Sequence, residues 1–125
     1  MVQPDRRYDL VFRQAVEGCL LLLAPQGCRV VDRGRAHDSA WVDLLLTKGA
    51  GQWQPGMLVL RLTHYRGDRL LRAELLVSDP IESAQATRRS LSQFYPPKRQ
   101  LQDGGLVLAA RVCEWYSRHL QEPTP

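Results

Sequence analysis

Residues 57–78 read MLVLRLTHYRGDRLLRAELLVS, and this stretch decides the fold. Two runs rich in leucine and valine, with polar residues interspersed, flank Arg66-Gly67, a dipeptide typical of tight turns. The pattern predicts an antiparallel hairpin with strands at residues 57–65 and 69–78. Alternate residues of the two strands form one apolar surface, so the hairpin indicates a sheet with that face packed on a core. Its six residues are Leu58, Leu60, Leu62, Leu71, Ala73 and Leu75.

The expected register of this hairpin follows from burial. If Tyr65 pairs with Asp68, apolar residues come to face one another, and directly opposed residues share a face of the sheet. A slip by one residue would place Leu62 opposite Arg72 and mix apolar with charged side chains. The expected pairs on the apolar face are Leu62 with Leu71, Leu60 with Ala73, and Leu58 with Leu75.

The residues before the hairpin predict a helix and two more strands. Apolar residues recur at helical spacing over residues 5–24, and Pro25 and Gly27 end this helix. Its last turn, Leu20 to Leu23, is apolar on every side, which predicts burial inside the fold or against another subunit. Strands are expected at residues 28–32 and 40–47.

Two helices are expected after the hairpin. Asp79-Pro80 has the residue types of a helix start and predicts a helix over residues 80–93. Asp103 then caps a final helix that runs to about residue 121.

The predicted fold is a single α+β domain over residues 1–125, with frayed ends at about residues 1–5 and 122–125. A four-stranded antiparallel meander is preceded by one helix and followed by two, in the order α-β-β-β-β-α-α. This order is loosely similar to that of secretion-chaperone-type domains, although no motif supports membership of that family.

The charge of the chain invites a nucleic-acid hypothesis. The net charge is +4 and the isoelectric point is about 9.3. Lys48 and Lys98 are the two lysines, and the other 15 of the 17 basic residues are arginines. Arginine codons are rich in G and C, so a GC-rich genome gives the same bias without any selection for binding.

Cysteine usage and hydropathy predict a reduced, cytoplasmic protein without a membrane segment. Cys19, Cys28 and Cys113 are odd in number, form no CxxC pair, and have apolar neighbours. The longest apolar run covers residues 19–24, far short of the roughly 20 residues that a spanning helix needs.

The sequence predicts no catalytic residues, no metal site and no cofactor. The glycines of residues 49–51 link two strands and lack a following helix, so they do not match a phosphate-binding loop. None of the three histidines has a second ligand at metal-binding spacing. An Asp43–Glu74 metal pair is an open alternative to a structural role in which both carboxylates neutralise arginines of the sheet.

Surfaces are the remaining candidates for function. The outer sheet face is expected to mix aromatic, arginine and apolar residues, the types enriched at interaction hot spots. A covering helix is an equally open explanation for this face. The predicted partner-binding residues, including the loop residue Trp53, are Trp41, Leu45, Trp53, Arg61, Thr63, Tyr65, Arg72 and Glu74.

The first functional hypothesis is a non-catalytic protein-interaction module, such as an adaptor, an accessory subunit, a chaperone-like or an immunity-type protein. Its partner is another protein or a second copy of the chain, with Leu20 to Leu23 or the outer sheet face as the interface. A small enzyme of unrecognised type is the least favoured hypothesis. The alternative partner is nucleic acid, with phosphate contacts from Arg61, Arg72, Arg88, Arg89, Lys98 and Arg99.

Overall fold

The computed structural model describes residues 6–48, 58–65, 70–78, 88–96 and 104–121. These residues form one antiparallel sheet with strand order β1-β2-β3-β4-β5 and two long helices. The elements are α1 (Arg6–Leu22), a short 3-10 turn (Ala24–Gln26), β1 (Cys28–Arg35), β2 (Ser39–Leu46), β3 (Leu58–Tyr65), β4 (Leu70–Ser78), β5 (Arg88–Phe94) and α2 (Gly105–Gln121).

The two helices pack side by side in the same direction. A Cβ added to Gly18 would lie 2.5 Å from the Cβ of Ala109, and one added to Gly105 would lie 2.5 Å from the carbonyl oxygen of Val11. Later residues of α1 therefore contact later residues of α2. The glycines have no side chains, which lets the two backbones approach closely. The first and last strands also run in the same direction, because four reversals separate β1 from β5.

The core lies between the helix pair and one face of the sheet. Phe12, Ala15 and Cys19 contribute from α1, and Leu108 and Val112 from α2. The sheet contributes alternate residues of its three central strands, since successive side chains of a strand point to opposite faces. These buried residues are Val42, Leu44, Leu46, Leu58, Leu60, Leu62, Leu71, Ala73, Leu75 and Val77. The α+β class with an antiparallel sheet is confirmed.

The predicted register of the β3–β4 hairpin is wrong by two residues. Leu62 pairs with Ala73, Leu60 with Leu75, and Leu58 with Val77. Tyr65 pairs with Leu70 rather than with Asp68. A shift of two residues keeps every side chain on its predicted face, because the strand period is two. The apolar pattern therefore predicted correctly which side chains share a face, but it does not distinguish registers that differ by two residues.

The predicted helix over residues 80–93 is also wrong. Residues 88–94 form β5, which pairs with β4, while residues 79–87 lie outside the described part of the chain. Leu75 pairs with Ser92 and Leu76 with Ser90, so Leu91 is an extra residue in a β-bulge. The bulge lets Leu91 and Phe94 both pack against the core at the three-residue spacing of a helix. One trailing helix, not two, follows the sheet.

One strand boundary and the burial of one helix turn also differ from the expectation. β1 extends to Arg35 instead of ending at residue 32. At the end of α1, Leu23 is buried, but Leu21 is 74% exposed and Leu22 is 53% exposed. Burial of this turn on several sides is therefore wrong for the single chain. Its packing against a second subunit stays a prediction.

Candidate functional site

The outer sheet face brings most of the predicted partner-binding residues together. Trp41 is opposite Thr63, and Asp43 is opposite Arg61, so these side chains share the face that points away from the helices. Asp43, Thr63 and Glu74 are buried, whereas Trp41 and Arg61 are half-buried. Leu45, Tyr65 and Arg72 also lie on this face.

Arg61 is held by two neighbours. It donates from Nε to Asp43 Oδ1 at 2.7 Å and from a terminal nitrogen to Oδ2 at 3.0 Å, a bidentate pair. Its guanidinium carbon also lies 4.6 Å from the ring centre of Trp41. The carboxylate of Asp43 raises the pKa of Arg61 further above its ordinary value. This arginine therefore neutralises a buried carboxylate, and its assigned phosphate contact stays a prediction.

The other charged groups of this face have neighbours on the sheet. The Arg72 guanidinium lies 5.5 Å from the ring centre of Tyr65. Glu74 accepts a hydrogen bond from Gln93 on β5 at 2.9 Å. Within the described residues, Thr63 Oγ1 and Arg72 Nε are buried without a hydrogen-bond partner. The face is thus a set of local pairs rather than an open basic platform.

Several predicted site residues cannot be placed. Trp53, Lys98 and Arg99 lie outside the described residues. Arg88 and Arg89 belong to β5, but the described structure does not extend to their side chains. Their assigned roles stay predictions.

A different site lies between α1 and the far end of the β1–β2 hairpin. There a groove of about 1170 Å³ separates the helix from the strands. Its floor is apolar, with Val16 and Leu20 from α1 and Val42 from β2. Phe12 stacks on the buried ring of His64 with centroids 5.6 Å apart and planes at 24°. Sequence analysis did not find this groove.

The rim of the groove is basic. Arg13 approaches from α1, and Arg33 and Arg35 approach from β1, together with one carboxylate, Glu17. His37, in the hairpin turn, adds a fourth group that carries positive charge when protonated. Within the described ranges, no ion pair uses the three arginines, in contrast to Arg61. Their charges are therefore available to a ligand.

A β-bulge at Val31 aims the two β1 arginines at the groove. Val30 pairs with Leu44, and Asp32 pairs with Asp43, so Val31 is an extra residue between them. Beyond the bulge, Arg33 is opposite the core residue Val42, which puts it on the helix side. If Val31 were instead a regularly paired residue of the strand, alternation from Val30 would turn Arg33 to the outer face.

Gly34 lets the indole of Trp41 lie across β1. A Cβ on Gly34 would come within 2.1 Å of the indole ring, so this position has no room for a side chain. Trp41 thus lies against Gly34 and also contacts the guanidinium of Arg61. This packing fixes the end of the hairpin that carries the groove arginines. The glycine opposite a tryptophan is the one local signal that could have indicated the arrangement.

No protein-family model, curated protein or solved structure matches this chain. Neither described helix is long and apolar enough to cross a membrane. Among the described residues, no three His, Cys, Asp or Glu side chains are grouped so that they could hold a metal ion. A function for the groove therefore has to be inferred from the side chains that line it.

Proposed function

We propose that this protein is a non-catalytic interaction module that binds an acidic, apolar-anchored segment of a partner protein in the groove between α1 and β1–β2. The observation that carries the proposal is the combination of an apolar floor with a rim of three arginines and one carboxylate. Arginines stay protonated at all physiological pH values, so they bind and orient anions rather than transfer protons.

The size of the groove favours a polypeptide segment over a small molecule. Typical small-molecule pockets have volumes of roughly 300–1,000 Å³ and enclose most of their ligand. The groove exceeds that range at about 1170 Å³ and is open along one side. A short segment of polypeptide could fill it with a few apolar anchors, since a few buried contacts dominate most interfaces.

The charges specify the partner. Arg33 and Arg35 stand two residues apart on one strand face, about 6–7 Å along the strand, and each guanidinium can take a carboxylate in bidentate geometry. Carboxylates spaced along a peptide would meet them, while apolar side chains reach Val16 and Val42 below. The apolar floor favours this ligand over a nucleic-acid strand, whose phosphates would leave the floor unused.

The test is selection of binding peptides from a random display library. We expect peptides that combine Asp or Glu with leucine-like anchors to be enriched. The groove variant Arg33→Glu/Arg35→Glu should bind them at least about tenfold more weakly, since one lost charge-assisted bond contributes roughly 1.5–3 kcal/mol. The matched control is Arg111→Glu/Arg118→Glu, which makes the same charge change on the exposed side of α2.

Three outcomes would reject the proposal. In the first, the enriched peptides are basic or neutral. In the second, the groove variant and the control variant lose affinity for the enriched peptides equally. In the third, a mixed-sequence single-stranded oligonucleotide binds while no peptide is enriched, with an affinity that falls steeply as salt rises. That last result would instead favour the nucleic-acid hypothesis.

A further inference from the structure

One wall of the groove is the backbone of an edge strand. β1 is the first strand in the sheet order, so β2 is its single neighbour among the described strands. Arg33, Gly34, Arg35 and Ala36 all line the groove, and Gly34, which has no side chain, does so with backbone atoms alone. A ligand in the groove therefore meets N–H and C=O groups of β1 as well as guanidinium groups.

The ladder between β1 and β2 shows which backbone groups face outward. The N–H of Ala36 donates to the carbonyl oxygen of Ser39 at 2.8 Å, so these two residues form a hydrogen-bonded pair. In an antiparallel ladder such pairs alternate with pairs that are not hydrogen-bonded, whose N–H and C=O groups point away from the partner strand. The non-bonded positions nearest the turn on β1 are Arg35 and Arg33. Both residues therefore direct their backbone groups to the edge of the sheet.

A local hydrogen bond at Arg33 agrees with this alternation. The N–H of Arg33 donates to the carboxylate oxygen Oδ1 of Asp32 at 2.9 Å rather than to β2. This hydrogen bond is exposed to solvent. A carbonyl of a bound segment would therefore replace the carboxylate as the acceptor without uncovering a buried group.

Arg33 and Arg35 each offer two kinds of contact. Their side chains lie on the helix side of the sheet, at the rim of the groove, while their backbone groups face the edge. In an added strand, the residues directly opposite them would have side chains on that same helix side. A carboxylate at each of these positions would meet a guanidinium group while the two backbones form hydrogen bonds.

We propose that the groove binds its acidic segment in extended form, as a strand added to the edge of β1 at Arg33 and Arg35. This inference rests on the proposed function and specifies how the segment binds. In this mode the main-chain hydrogen bonds provide affinity, and alternate side chains provide specificity. The bulge at Val31 disrupts regular pairing, so the added strand pairs with β1 between the bulge and the hairpin turn.

The charges favour an acidic segment over a second copy of this chain. Pairing of two β1 edges would place the arginines of one copy opposite the arginines of the other, and like charges directly opposite each other are destabilising. An acidic strand places opposite charges across the same pairs. We expect Asp or Glu at positions i and i+2 of the segment, whereas a helical ligand would space them by three or four residues.

The experiment uses a peptide that binds the wild-type protein and loses affinity in Arg33→Glu/Arg35→Glu, so that the proposed function already holds for it. Single N-methyl groups are placed along its backbone, one position at a time. Because alternate N–H groups of an added strand bond to β1, affinity should fall at least about tenfold at every second position and less than about twofold in between. A helical peptide loses internal hydrogen bonds at successive positions, so its losses would not alternate.

Two substitutions at Arg35 test the same hydrogen bonds from the side of the protein. Arg35→Ala and Arg35→Pro both remove the guanidinium group, but only proline also removes the N–H at the edge. Edge strands tolerate proline where the N–H faces solvent, so both variants should fold, which thermal unfolding checks. We expect Arg35→Pro to bind the peptide at least about tenfold more weakly than Arg35→Ala.

The outcomes separate this inference from the proposed function. Equal affinities of two folded Arg35 variants, or N-methyl effects that do not alternate, would overturn the added strand and leave the acidic ligand in place. Failure of every acidic peptide to bind would overturn both. A dimer of the protein alone that Arg35→Pro dissociates and Arg35→Ala does not would also overturn the inference, because a second copy would then occupy the edge. The N-methyl series uses wild-type protein, so it decides the question even if the proline variant unfolds.

Discussion

Asp43 and Arg61 form a bidentate ion pair between adjacent strands in which the carboxylate is entirely buried and the guanidinium is 28% exposed. The 28% is that of the whole Arg61 side chain, and this partial exposure lowers the cost of placing the pair in the sheet below that of a fully buried pair. The pair also sets the position of Trp41, on whose ring the guanidinium of Arg61 lies. Asp43 therefore positions Arg61 directly and Trp41 through Arg61.

Removing that acid should destabilise the protein. In Asp43→Ala, Arg61 keeps its charge and loses both hydrogen bonds. We expect a loss of about 2 kcal/mol in the free energy of unfolding, below the roughly 3–5 kcal/mol of fully buried pairs because Arg61 reaches solvent. Urea denaturation measures the change. Glu114→Ala, which breaks the exposed pairs on α2, should change stability by less than about 1 kcal/mol. Equal losses would mean that the buried pair has no special role.

The contact between Gly18 and Ala109 predicts a size-compensation effect. Gly18→Ala adds a methyl group where only 2.5 Å separates it from the Cβ of Ala109, so the helices must move apart. Overpacking of this kind costs typically about 1–3 kcal/mol, so over most of that range it exceeds the gain of roughly 1 kcal/mol from alanine's better helix propensity and Gly18→Ala should lower stability.

The double variant Gly18→Ala/Ala109→Gly tests the contact directly. It moves the methyl group from one helix to the other, so packing should recover, and thermal unfolding of the double variant should show a midpoint above that of Gly18→Ala alone. Strictly additive losses would show that the two positions do not touch.

A hydrogen bond between residues 90 positions apart joins the end of α2 to the turn after α1. The hydroxyl of Tyr116 donates to Gln26 Oε1 at 2.9 Å. Tyr116→Phe should lower the unfolding free energy by about 1 kcal/mol, the usual net contribution of one hydrogen bond. Gln26→Ala should cost a similar amount. In a double-mutant cycle the second change should add little to the first, while full additivity would argue against the bond.

Stability should fall at alkaline pH. The thiol of Cys28 has an ordinary pKa of 9.0, which applies to the unfolded chain, and burial raises it to about 11 in the folded protein. Between these values the unfolded chain has released a proton that the folded protein retains, so rising pH favours unfolding. The contribution is fully present below pH 9 and is lost as pH rises through 11.

Urea midpoints measured from pH 8 to pH 11 would reveal this slope. Cys28→Ser should flatten it without removing it, since burial also raises the pKa of the Tyr116 phenol above its ordinary value of 10.0. If the variant keeps the full wild-type slope, burial of Cys28 does not contribute to the pH dependence. Tyr116→Phe is then the variant to compare.

The elements that sequence analysis predicted well are those in which one local pattern decides the outcome. α1 follows from apolar periodicity, the final helix was predicted from the cap residue Asp103, and the inner face of β3–β4 follows from alternation. The register of that hairpin did not follow, because Leu60 opposite Ala73 and Leu60 opposite Leu75 are equally apolar. Such a choice depends on turn geometry rather than on burial.

Both bulges escaped prediction for a common reason. A bulge changes the phase of a strand through its pairing with a neighbour, which a single strand's sequence does not reveal. The helix expected over residues 80–93 depended on the start signal Asp79-Pro80, which carries no information on the pairing of residues 88–94 with β4. The bulge at Val31 lies in a strand that was expected to end at residue 32, so the groove lined by Arg33 and Arg35 was not predicted.

The bulge at Val31 is also a position at which the fold should tolerate a change in the length of the chain. If Val31 were deleted, β1 would run as a regular strand from Val30 through Asp32, and Arg33 would still face α1. Val31 itself is 39% exposed and contributes little to the core. An evolutionary insertion or deletion at this position would therefore leave the arginine rim intact. Alignments of related chains should allow a gap there, and the arginines that follow should be compared by face rather than by number.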